Sequence, residues 1–140
     1  MSSGSGSWVE RLARRLRSRR FLVQDHSMEP TFLPGDRLLA LREKREGPPP
    51  TEGQVVVVRD PERPDRLLLK RVVAVRPAPP GPGGGSGVEL DLRGDAAASS
   101  RDSRDFGWVP AREVVGRVWY RYAPPERRGE LRVEHGRTRP

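Results

Sequence analysis

The feature that most constrains this chain is how its apolar residues are parcelled out. Between residues 36 and 122 they occur in runs of four or fewer, rich in valine and leucine. Most runs are bounded by proline, glycine or charge. A bilayer-spanning helix needs about 20 consecutive apolar residues, and a secretory leader needs a core of about 7–15. Runs of this length, punctuated this often, suit strands. In order they are 36–42 (DRLLALR), 54–59 (QVVVVR), 66–76 (RLLLKRVVAVR), 88–93 (VELDLR) and 115–122 (VGRVWYRY). The connector 77–87 (PAPPGPGGGSG) has no core-forming residue and reads as a mobile loop between two strands. Upstream, residues 8–20 (WVERLARRLRSRR) repeat Trp8, Leu12 and Leu16 at spacing four, with arginines on the other faces. That is helix spacing. The expectation is a helix over 8–20, docked on the body or frayed in solvent; a membrane-surface helix is the alternative.

The expected fold is mainly β, a compact sheet or partly open barrel with a short N-terminal helix and flexible tails. Its parts are a basic tail and helix at 1–20, a catalytic domain at 21–122 and a polar tail at 123–140. With 140 residues the chain supports one core.

Composition excludes several chemistries. There is no cysteine, hence no disulfide framework, thiol nucleophile or cysteine zinc site. The two histidines, His26 and His135, stand far apart, so no metal site and no cofactor are expected. The net charge of +8 sits mostly in the ends: residues 1–22 carry six arginines against one glutamate, whereas 23–122 is nearly balanced. A non-enzymatic nucleic-acid binder is the alternative from another class, supported by the basic ends. Against it stand the neutral body and an aromatic content of 6%, too low for base stacking, so no nucleic-acid partner is expected. With no apolar span, the default location is the cytoplasm, with membrane contact not required. Nothing in the sequence fixes an oligomeric state.

Two residues stand out chemically. Lys70 is one of only two lysines beside 25 arginines. On a strand it shares a face with Leu68, Val72 and Ala74. An ammonium on an apolar face loses hydration, its pKa falls, and the neutral amine becomes a competent base. The bland alternative is a stem that packs while its head reaches water. Ser27 sits after an apolar approach, Phe21 to Val23, and before a rigid exit at Pro30, Pro34 and Gly35. Such a serine is presented at a fixed spot, although most serines of this kind cap turns. His26 is adjacent to Ser27 in sequence, so their side chains diverge in extended chain, and a Ser-His-Asp triad is not expected.

Ser27-Met28-Glu29-Pro30-Thr31 followed by Pro34-Gly35-Asp36 resembles the nucleophile box of the type I signal peptidases. Lys70-Arg71-Val72 resembles their lysine box. Gly94-Asp95, then Ser100-Arg101-Asp102-Ser103-Arg104-Asp105-Phe106-Gly107, resembles their third box. Val109-Pro110 and Val115-Gly116-Arg117-Val118 continue the pattern, so the likeness covers about residues 21–122, in the family's order.

The resemblance implies a serine endopeptidase with a Ser27/Lys70 dyad on an all-β fold. Ser27 would be the nucleophile and its backbone N–H an oxyanion donor; Lys70 would be the general base. Ser100 matches the serine that orients the lysine, and Asp102 with Arg104 matches a structural ion pair near the site. The substrate would lie extended, as an added strand. Asp25 departs from the pattern, since the family often carries a hydroxyl or glycine there. An ionised carboxylate only accepts hydrogen bonds, so Asp25 either points away or leaves the second donor to another group. Ala96 stands where asparagine is usual. The segment Asp102–Gly107, the chain length and the missing anchor most resemble the maturation proteases of nickel-type superoxide dismutase. That implies a dismutase precursor as the partner, with the nickel belonging to the substrate. A peripheral signal peptidase cleaving secretory leaders is the alternative within the class.

Overall fold

A computed structural model describes residues 7–44, 47–80, 87–96 and 101–131. Helix α1 (Trp8–Leu16) is followed by β1 (Ser18–Leu22), β2 (Arg37–Arg42), β3 (Val55–Asp60), β4 (Arg63–Pro77) and β5 (Val88–Arg93). Then come α2 (Ser103–Phe106), β6 (Val109–Pro110), β7 (Val114–Ala123) and β8 (Gly129–Glu130). The strands form one antiparallel sheet in the order β1-β2-β7-β3-β4-β5-β6, with β8 beside β7. The sheet is not closed: β1 and β6 end the order.

The valine run explains the interior. Side chains alternate along a strand, so Val55 and Val57 enter one cluster, with Val23, Met28, Phe32 and Leu38. Val56 and Val58 enter a second cluster, with Val72, Leu90, Leu92 and Val109. Each fully buried side chain of this size contributes about 1.5–3 kcal/mol, so β3 ties both clusters together. Neighbouring β2 and β7 approach closely at Gly116. A Cβ there would lie 3.0 Å from the Leu41 carbonyl oxygen and 3.1 Å from Ala40 Cβ.

Strand β4 serves two partners. Residues 63–71 pair with β3, whereas 71–77 pair with β5. The outer edge of residues 63–69 therefore has no strand partner among the described residues, and the same is true of the outer edge of β1.

Two expectations need correction. The helix does not reach residue 20. It ends at Leu16, where Arg17 caps it and Ser18 Oγ donates to the Arg14 carbonyl at 2.6 Å. Residues 18–22 instead pair with β2, Ser18 opposite Leu41 and Leu22 opposite Arg37; a strand edge in need of a partner outweighs the local helix pattern. None of the residues of α1 is buried, Trp8 and Leu16 being 71% and 78% exposed, and Trp8, Leu12, Arg11 and Arg15 line a groove with Trp119, Tyr120 and Glu130. Finally, the segment after 122 is not all tail. Tyr120 pairs with Glu130, Arg121 with Gly129, and Leu131 packs on the first cluster. Residues 132–140 lie outside the described set, as do 81–86 of the expected loop, whose base is closed by Ala78 N–H donating to Gly87 O at 2.9 Å.

Candidate active site

The loop carrying Ser27 is anchored on both sides. Met28 and Phe32 are buried in the first cluster, and Phe32 N–H donates to the Met28 carbonyl at 2.9 Å. The exit turn uses Gly35 at φ +96°, a region other residues rarely occupy. Gly35 N–H donates to Val23 O at 2.8 Å, and Val23 N–H to Asp36 O at 2.9 Å. The buried Asp36 carboxylate accepts from Leu33 N–H at 2.9 Å and from Arg121 and Arg127, each at 3.2 Å. Both arginines also donate to the Thr31 carbonyl. Thus two C-terminal side chains clamp the loop, a role for Arg127 that the tail reading missed.

The three sequence boxes meet here. Asp95 accepts a two-pronged bond from Arg71, both contacts at 2.9 Å, and a third from Thr31 Oγ1 at 2.6 Å. Ala96 N–H donates to the Ser27 carbonyl at 2.9 Å. Gly94 N–H reaches Asp102 Oδ2 at 3.4 Å. One carboxylate therefore joins the neighbour of Lys70 to the loop of Ser27. Sequence reasoning named Arg71 and Asp95 as members of the second and third boxes but gave neither a role; their pairing shows only in the fold.

Lys70 is 2% exposed, on the face of β4 that carries Leu68 and Val72 into the second cluster. Burial pushes its pKa below the ordinary 10.5, with Asp102 and then Asp25 opposing the shift and Arg101 adding to it. The stem-packed, head-solvated alternative does not fit this enclosure. Asp102 is fully buried and caps α2. It takes Arg104 Nε on Oδ1 at 3.0 Å, Arg104 Nη2 on Oδ2 at 2.8 Å and the Arg104 backbone N–H at 3.0 Å. Burial alone would raise its pKa; these bonds outweigh burial and hold it at about 2.

Asp25 does not point away. Its Oδ1 accepts Ser27 N–H at 3.1 Å and Ser27 Oγ–H at 2.9 Å. The carboxylate stands where a developing oxyanion would draw on that N–H. His26 turns outward to Glu29, consistent with the geometry that made it a poor base for Ser27. Ser100 lies outside the described residues.

A cleft of about 620 Å³ runs up to Asp25. Phe21, Leu22 and Val23 form one wall, residues 66–69 of β4 the other, and Leu38 and Val57 lie beneath. These walls belong to the two unpaired strand edges. No cluster of ligating side chains suited to a metal ion occurs among the described residues.

An antiparallel β scaffold with a buried lysine in the field of the Asp25 that binds Ser27 defines a candidate peptidase. Residues 11–78 match the model of the signal peptidase family, peptidase S26. That span contains Ser27 and Lys70, while the third box falls beyond it. Two Arabidopsis thaliana proteins are similar. Mitochondrial ATP-independent inner membrane protease subunit 1b is 36% identical over 124 residues, covering 75% of this chain and 70% of its own. Subunit 1a is 35% identical over 123 residues, covering 79% and 73%. The chain belongs to the signal peptidase S26 family and is a serine-type peptidase, which removes the non-enzymatic alternative. The comparisons also correct the cytoplasmic default: both relatives are named as inner-membrane protease subunits. No helix among the described residues is long and apolar enough to cross a membrane.

Proposed function

We propose that this protein is a leader-removing serine endopeptidase working at a membrane, with Ser27 as nucleophile and Lys70 as general base. The observation that carries the reading is the enclosed lysine: an amine 2% exposed on an apolar strand face, with its pKa lowered, in the field of the Asp25 that holds Ser27. Lys70 in its neutral form takes the Ser27 Oγ proton as the oxygen attacks the scissile carbonyl. The proton then passes to the leaving amine, and the C–N bond breaks to leave the acyl-enzyme. A water that gives its proton to Lys70 attacks that ester, and Ser27 is regenerated. Ser27 N–H is the backbone donor to the oxyanion. Ser100 is assigned to orient the lysine. Asp102, locked by Arg104, is assigned to fix the third box beneath it.

An extended substrate adds a strand in the cleft between β1 and residues 63–69, whose unpaired edges offer backbone donors and acceptors. The membrane setting follows the relatives' names. The precursor of a nickel-type superoxide dismutase is retained as one substrate to test, on the strength of the stretch Asp102–Gly107. A secretory or sorting leader is the other.

The test is mass spectrometry of both kinds of precursor after incubation with the parent protein, Ser27→Ala and Lys70→Ala. A single cut near the leader's end, lost in both variants, is expected. Cleavage that survives either substitution overturns the dyad.

A further inference from the structure

Asp60 is a fully buried carboxylate for which the dyad has no use. It ends β3, two residues after Val58. Val56 and Val58 enter the second cluster, and Lys70 and Leu68 stand opposite them on β4. Asp60 Oδ1 accepts the Glu62 N–H at 2.9 Å, within the turn from β3 to β4. Its Oδ2 accepts from Arg101 Nη2, while Arg101 Nη1 donates to Glu62 Oε1. Burial alone would raise the pKa of Asp60; the Glu62 N–H and the Arg101 guanidinium outweigh burial and hold it below its ordinary value. An enclosed, ionised carboxylate therefore grips a guanidinium from 41 residues further along. Arg101 also lies over the Phe106 ring at 5.5 Å, and Phe106 packs on the second cluster. The third box is thus fastened at two places: Asp102 takes the Gly94 N–H, and Arg101 is taken by the β3–β4 turn.

We propose that Arg101 is a positioning residue for Lys70, gripped by Asp60 and Glu62 so that the third box and a fixed cation are both held on the sheet face that carries the lysine. Four charged groups act on the Lys70 amine. Burial lowers its pKa most. Asp102 at the cap of α2, Asp25 beside Ser27 and Asp105 within α2 favour the charged form; Arg101 opposes them. A guanidinium keeps its charge at every working pH, and a neighbouring cation disfavours an ammonium. Three carboxylates would otherwise draw the lysine toward the form that cannot accept the Ser27 proton. Arg101 also follows Ser100 directly in sequence, the residue assigned to orient the amine. The value of all this to catalysis rests on the proposed dyad; the effect of Arg101 on the lysine does not.

The test reads Lys70 directly. The chain has two lysines, Lys44 and Lys70, so lysine labelled with carbon-13 at Cε gives two NMR signals, which Lys44→Arg assigns. The full chain is titrated with pH as the parent, Arg101→Gln and Asp60→Asn. Arg101→Gln removes the cation, and the Lys70 titration is expected to move to higher pH. Asp60→Asn loosens the grip but keeps the cation, so no upward movement is expected. In peptide turnover both variants should lose roughly tenfold or more in kcat on the high-pH plateau, because the third box is less well placed. The acid limb should move to higher pH in Arg101→Gln alone, and Arg101→Lys should restore the limb but not the plateau. If Arg101→Gln does not fold, the same change combined with Asp60→Asn leaves no unpaired buried charge and carries the same expectation. Two results overturn the proposal: a parental Lys70 titration in the folded Arg101→Gln chain, or an equal upward movement in Arg101→Gln and Asp60→Asn, which loosening alone would produce. A displaced titration in a protein whose cleavage survives Lys70→Ala would instead sink the dyad and leave the action of Arg101 on the lysine standing.

Discussion

In the proposed mechanism Asp25 holds the N–H that the oxyanion would need, so replacing it should make a better enzyme. Its carboxylate accepts both the N–H and the hydroxyl of Ser27. A hydrogen bond to an ionised group contributes about 1.5–3 kcal/mol, and the bond to the N–H must be surrendered before that N–H can serve the oxyanion. Relieving it corresponds to roughly a 10- to 100-fold gain in kcat. Asp25→Ser supplies a hydroxyl in place of the charge and should show the full gain; Asp25→Asn, neutral but still an acceptor, should show less. A second effect has the same sign. Asp25 favours the charged form of Lys70, so its removal lowers the lysine pKa and moves the acid limb of the pH-rate profile to lower pH. The assay is turnover of a fluorogenic peptide substrate from pH 5 to 10, about the working range of such a base. A gain that persists on the high-pH plateau belongs to the oxyanion; a gain confined to low pH belongs to the lysine. Unchanged or reduced kcat in Asp25→Ser, with Tm preserved, would refute the reasoning and make the carboxylate a productive part of the site.

Other outcomes follow from the same geometry. Lys70→Arg should lower kcat at least about 1,000-fold despite conserving charge, because a guanidinium cannot accept the proton; the parent's activity should rise with pH as Lys70 deprotonates, as a pH-rate profile will test. Asp102 has a depressed folded pKa, about 2 against 3.8, so its stabilisation is present above pH 3.8 and is lost as the pH falls toward 2. Asp102→Asn should therefore cost about 2 kcal/mol at neutral pH, and denaturant titrations should find that cost shrinking across that window. Gly116→Ala must push the Leu41 carbonyl and Ala40 apart; a loss of about 1–3 kcal/mol is expected, read as a lower Tm.

The five long strands were legible because each has a short apolar run with clear punctuation. The dual burial of β3 follows directly from four consecutive valines. Strand β1 was hidden for a physical reason. Ser18-Arg19-Arg20 is mostly exposed edge chain with no alternation to read, and its conformation is set by pairing with β2, about twenty residues away. β6 and β8 are two residues each and exist only through their partners. At the site, Lys70 could be picked out because a lone lysine on an apolar strand face is chemically anomalous. Asp95 could not, because its meaning lies in contacts with Thr31 and Arg71, 64 and 24 residues away. Asp25 was visible as an oddity, but whether it turned in or out depended on a turn geometry that no pattern of residue types specifies.

The clamp on the Ser27 loop has a consequence in time. Asp36 and the Thr31 carbonyl are held by Arg121 and Arg127, 85 to 96 residues further along. A ribosome delivers the loop early and its clamp last. Throughout most of synthesis the loop has its own turns but neither arginine, and β2 lacks the β7 against which it will pair. The nascent chain therefore carries its serine and lysine long before it carries the frame that fixes them. On the proposed dyad, the Ser27 loop gains its clamped form only once Arg121 and Arg127 have been made.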